Sequence, residues 1–130
     1  MSMELDYTVR SARVFDETVE AVIAETEAAG FKVQFVHDVS ATLAEKGFER
    51  ERVTIIELCN ARYAHAVLAA DVKIGLMLPC PIMVYAEGDA VMVSTMKPTL
   101  IADFFPHAEL GSVPADVEAV MTGIIDRAAV

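Results

Sequence analysis

Residues 82–86 and 90–96 are two apolar, β-branched runs separated only by Glu87, Gly88 and Asp89, and this pairing restricts the fold more than any other feature of the chain. Gly88 can take the positive φ that a tight turn needs, so the runs are expected to fold back as a local antiparallel hairpin. Parallel neighbours require a crossover of a dozen or more residues, which the hairpin does not allow, so a doubly wound parallel sheet is disfavoured. Strand alternation puts Ile82 and Val84 on one face of the hairpin and Met83 and Tyr85 on the other. Both faces are therefore apolar, and a core covers only one of them.

The flanking segments supply the rest of a sheet and its helices. Residues 7–14 are strand-compatible, and Asp16 is placed to cap a helix over 16–29 with Val19, Val22, Ile23, Thr26 and Ala29 inward and Gly30 at its end. Phe31, Val33 and Phe35 alternate with Lys32 and Gln34, the period of a strand that runs to Asp38. Ser40 is read as the cap of a two-turn helix over 40–46, followed by a charged loop. The run RVTIIEL over 52–58 suits a central strand, and it ends in Cys59 and Asn60, with Asn60 the N-cap of a helix over 61–70 that carries His65 just off its inner face. Two prolines in LMLPCP, residues 76–81, remove ladder donors, so this stretch is read as a bent apolar crossing that contains Cys80 and not as a regular central strand. Residues 98–112 are apolar without a period, either a packed loop or an arm. Val117, Val120, Met121, Ile124, Ile125 and Ala128 form the stripe of a last helix over 114–128.

The expected class is α+β: a two-layer sandwich with a mostly antiparallel sheet and helices on one face, formed by residues 1–130 as a single domain. At 55% hydrophobic and 23% charged, the chain has the composition of a packed globule. Its net charge of −10 opposes binding to phosphate backbones and anionic lipid surfaces, so neither nucleic acid nor membrane is expected as a partner. The acids Asp16, Glu17, Glu20, Glu25 and Glu27 have no basic residue among them and are read as a solvated helix face. The N-terminal residues lack the apolar stretch of a secretory signal, and a cytoplasmic location is expected. There Cys59 and Cys80 default to free thiols.

From Cys59 to Glu87 the sequence resembles domain-of-unknown-function family 302. The resemblance rests on Cys59-Asn60, Ala64, Leu68, Asp71, Ile74-Gly75, Leu78-Pro79-Cys80 and Val84-Tyr85, with weaker support from Gly30-Phe31, His37-Asp38-Val39 and Lys46-Gly47. Ala61 stands where the family often has proline, and Pro81 where a basic residue often follows the second cysteine. The resemblance implies a TATA-binding-protein-like α+β fold, commonly met as a homodimer, with no established activity. The fold's name does not carry DNA binding with it, and the charge has the wrong sign.

Candidate chemistry centres on the two cysteines. Cys59 precedes a capped helix, whose dipole favours a thiolate, although a buried cysteine is more often an inert small hydrophobe. A metal site needs three or four ligands, and His37, His65, Cys59 and Cys80 match no zinc spacing, so no metal is expected. No phosphate loop, dinucleotide fingerprint or GxSxG elbow is present to name a cofactor. Two readings result. The preferred one is a homodimeric module that binds a small molecule or partner protein near Cys59, Asn60 and Cys80, with His37 or His65 as the neighbouring polar group and with the hairpin or the segment holding Phe104 and Phe105 as the dimer interface. The alternative is a thiol-dependent enzyme, or a redox or metal-binding protein, using the same cysteines.

Overall fold

The hairpin forms the middle of the sheet. In the computed structural model, which describes residues 4–130, β4 (Cys80–Glu87) and β5 (Ala90–Met96) pair antiparallel from Ile82 opposite Thr95 to Glu87 opposite Ala90. Gly88 has a φ of +59° as the first residue of the two-residue turn, as a type II′ turn requires. β1 (Asp6–Arg10) flanks β5; β3 (Val53–Cys59) flanks β4, and β2 (Lys32–Asp38) closes the far edge, giving the order β1-β5-β4-β3-β2. Every neighbouring pair is antiparallel.

One sheet face is sealed by α1 (Phe15–Ala28), α3 (Ala61–Ala70) and α5 (Val113–Ala128). Val22, Ile56, Ile82, Val84, Val93, Met121 and Ile124 are fully buried between the layers, each contributing about 1.5–3 kcal/mol relative to exposure. The expected two-layer α+β arrangement is the one observed. The short α2 (Val39–Glu45) stands apart and borders a groove on the opposite face, over Phe35, His37 and Ile55.

Four local expectations change. β1 stops at Arg10, and Asp16 does not cap α1: the cap position is Val14, without a side-chain hydrogen bond, and Asp16 lies in the first turn. Asp16 pairs instead with Arg52 at 2.8 Å, and the Arg52 guanidinium lies 4.0 Å from the Phe15 ring centre. Glu25 likewise accepts from Arg127 at 2.8 Å, so the acidic helix face draws its cations from distant parts of the chain. Its buried side also differs from the stripe read in sequence. Thr18 joins Val22 and the expected Thr26 in the core, while Val19, Ile23 and Ala29 are half-buried; the Thr18 and Thr26 hydroxyls donate to the Val14 and Val22 carbonyls at 2.9 and 2.7 Å.

Second, α2 is capped by Asp38, whose Oδ1 accepts from the Ala41 amide at 3.0 Å; Ser40 instead accepts from the Val53 amide at 3.1 Å and ties α2 to β3. Third, Pro81 lies inside the central strand β4. Its carbonyl accepts from the Thr95 hydroxyl at 2.8 Å, so its nitrogen also faces β5, where the ladder begins only at the next residue, Ile82. Lacking an N–H, Pro81 ends the ladder to β5 at this point, with Met96 the next residue in register. Fourth, residues 98–112 are a packed connection and not an arm: α4 (Leu100–Phe104) is too short to show a helical period, and it buries Leu100 and Ile101, with Leu110 buried beyond it. Among the described residues no helix is long and apolar enough to cross a membrane.

Candidate functional site

β3 and β4 bring the two cysteines to the same end of the sheet. Leu58 sits opposite Cys80 in the ladder, and Cys59 is the last residue of β3 before Asn60 opens α3. The Asn60 side chain accepts from the amides of Arg62 and Tyr63 at 3.0 and 3.3 Å, the N-cap expected of it, and donates to the Gly30 carbonyl at 3.4 Å. That cap fixes where α3 starts, and Tyr63 one turn later packs on Phe31 with ring centres 5.9 Å apart.

Beneath α3 lies a cavity of about 30 Å³ lined by Cys59, Asn60 and Cys80 together with Tyr63, Val67 and Val117. α4 and the start of α5 close it through Ile101, Val113 and Pro114. Its walls are almost entirely apolar. Burial pushes the Cys80 thiol up to about 11, with the neighbouring Cys59 adding to the shift, so Cys80 is a neutral thiol at physiological pH. Both cysteines are free.

The two histidines lie elsewhere. His37 projects from the other face of the sheet, where its Nε2 lies 3.2 Å from Glu57 Oε2 and its ring centre 4.3 Å from that of Phe35. His65 is exposed on α3. Neither lines the cavity around the cysteines, because β2 pairs His37 with Ile55 on the uncovered face and His65 lies off the inner side of α3. Among the described residues, no three of His, Cys, Asp and Glu gather closely enough to hold a metal ion.

Sequence reasoning did not find the far wall of the cavity. Ile101 comes from a stretch with no period, and Val113 falls between that stretch and the last helix read from the sequence, so their only signal is that they are apolar.

The family described as "Domain of unknown function DUF302" matches residues 7–128. The chain belongs to this family. The crystal structure of the uncharacterized conserved protein DUF302 from Bacillus stearothermophilus is 29% identical and superposes with a TM-score of 0.91 over 97% of this chain and 99% of that one. No curated protein matches the sequence. Membership of DUF302 thus agrees with the architecture and assigns no chemistry to the cavity.

Proposed function

We propose that this DUF302 chain acts as one domain in a homodimeric binding module that takes the apolar end of a small molecule between α3 and α5. The carrying observation is the cavity beside Cys59 and Cys80, walled by apolar side chains from five separate segments of the chain. An enclosed space of about 30 Å³ is far smaller than the ~150 Å³ that holds benzene. The ligand would therefore insert an alkyl tip and keep its remainder outside, or displace α3 as it enters. Asn60, already spent on the helix cap, offers its amide only at the rim.

Dimerisation is supported by the uncovered sheet face. Ile55, Met83, Tyr85 and Met96 line one depression there, and Phe35 on the same face is 55% exposed. These apolar side chains face outward from the side of the sheet that α1 and α5 do not cover, the kind of patch that marks an interaction surface. A second copy laid on this face would cover the outer side of the hairpin. Two free thiols suit a reducing, cytoplasmic setting.

Thiol catalysis has less support, because Cys80 is protonated and no histidine stands beside either sulfur. Titration of the reduced protein with 1-hexanol, followed by amide and methyl NMR shifts, tests the binding reading. Shifts concentrated at Tyr63, Val67 and Val117 are expected. Shifts confined to the sheet face, or none at millimolar alcohol, would overturn it.

A further inference from the structure

Cys59 and Cys80 share a cavity although the ladder does not set them opposite each other. Leu58 is the residue across from Cys80, so Cys59 stands one position further along β3. A cross-strand spacing near 5 Å combined with a ~3.4 Å step puts the two Cα atoms roughly 6 Å apart, inside the window of about 4.4–6.8 Å that disulfides occupy. In a continuing strand Cys59 would turn to the opposite face. β3 ends there, however, the chain swings into α3, and both residues line the one apolar gap. The influence of Cys59 on the ionisation of Cys80 agrees with sulfur atoms facing each other across that gap.

We propose that Cys59 and Cys80 form a dithiol that closes reversibly to an intramolecular disulfide across the cavity, with a low-molecular-weight disulfide of the glutathione class as oxidant. Cys59 loses its proton and attacks one sulfur of glutathione disulfide, expelling one glutathione as thiol and leaving a mixed disulfide on Cys59. Cys80 then loses its proton to solvent, attacks the Cys59 sulfur and expels the second glutathione. Two protein thiols become one disulfide, and glutathione disulfide takes up the two electrons and two protons as two thiols. Cys80 is the resolving partner: its buried thiol is rarely ionised, so it reacts only with a disulfide held beside it, where proximity offsets its small thiolate fraction. The bridge fills the gap and pins the start of α3 to the start of β4. On the binding reading above, on which this consequence alone rests, oxidation shuts the ligand out.

The experiment treats the reduced full chain with glutathione disulfide at neutral pH and maps the products by mass spectrometry without reduction. The expected wild-type product joins the Cys59 and Cys80 peptides, is lighter by two hydrogens and retains no glutathione. Cys80→Ser should instead accumulate a stable glutathione adduct on Cys59, and Cys80→Ala gives the same readout if the serine variant fails to fold. Persistent adducts on the wild type, cross-links formed only between copies, or two unreacted thiols would each overturn the proposal. Hexanol shifts should be present in the reduced protein and lost in the oxidised one. Closure of the disulfide in a protein that never takes up hexanol would remove the binding reading and leave the dithiol intact.

Discussion

Tyr7 on the edge strand β1 donates its hydroxyl to Asp126 Oδ1 at 2.5 Å, linking the first strand to the last turns of α5. The carboxylate beside it raises the Tyr7 pKa above the ordinary phenol value, chiefly because the hydrogen bond needs the protonated form. A raised folded-state pKa stabilises below the unfolded value near 10 and loses that contribution as pH rises through the folded one. Tyr7→Phe should cost about 0.5–1 kcal/mol at neutral pH, since the ring still packs on the core and only the hydroxyl is removed. Urea denaturation should show the gap between wild type and variant narrowing above pH 10, and a gap that widened would refute the assignment.

Asn60→Ala removes the acceptor for two amides at the start of α3 and should destabilise by about 1 kcal/mol. Asn60→Asp, which keeps the acceptor, should recover most of the loss. Hydrogen exchange offers the sharper check: in the alanine variant, the Arg62 and Tyr63 amides should lose protection before those of the sheet. Uniform loss across the domain would show that the cap is not what holds this end.

The shifted Cys80 thiol predicts a pH profile. In Cys59→Ser, where Cys80 is the one remaining thiol, burial still raises its pKa although the part that Cys59 adds is gone, so alkylation by iodoacetamide should be slow at pH 7 and climb only well into the alkaline range. The same shift means that folding favours the neutral thiol, so its stabilising contribution is complete below the usual thiol value and disappears as pH rises through about 11. Rapid alkylation at pH 7 would contradict this.

Met83 lies on the uncovered sheet face, next to Ile55 and Tyr85. Sedimentation should give a dimer mass for the wild type at micromolar concentration and a monomer mass for Met83→Glu, with Met92→Glu as a second probe of the same face. A monomeric wild type ends the dimer proposal. A dimer untouched by both substitutions moves the interface elsewhere.

The sequence carried the sheet because its strongest signals were local. The Gly88 turn, the alternation from Phe31 to Val33 and the stripe ending at Ala128 each depend on residues a few positions apart, whereas Phe35, read on the same buried face, is turned outward by the bulge after Val33. What it lost depended on distant partners. Pro81 argues against a central strand until the Thr95 hydroxyl and the late start of the β5 ladder are known. Thr18 falls outside the apolar stripe of α1 until its hydroxyl is seen bonded back to the Val14 carbonyl. For the candidate site, the meeting of Cys59, Asn60 and Cys80 could be argued from a strand, a helix and a return. The histidines could not, because which face His37 takes depends on a bulge between Val33 and Phe35 that shifts the register of β2.

Pro81 also works as an alignment key for the sheet. Were β5 to slide along β4, the Thr95 hydroxyl would leave the Pro81 carbonyl and lose its acceptor. Such a slip would also turn the outward row of Met83 and Tyr85 against new neighbours while leaving Cys80 held to Leu58. A residue that weakens most strands here holds one bond that only the native register allows, and it does so one position away from the cysteine whose placement the cavity depends on.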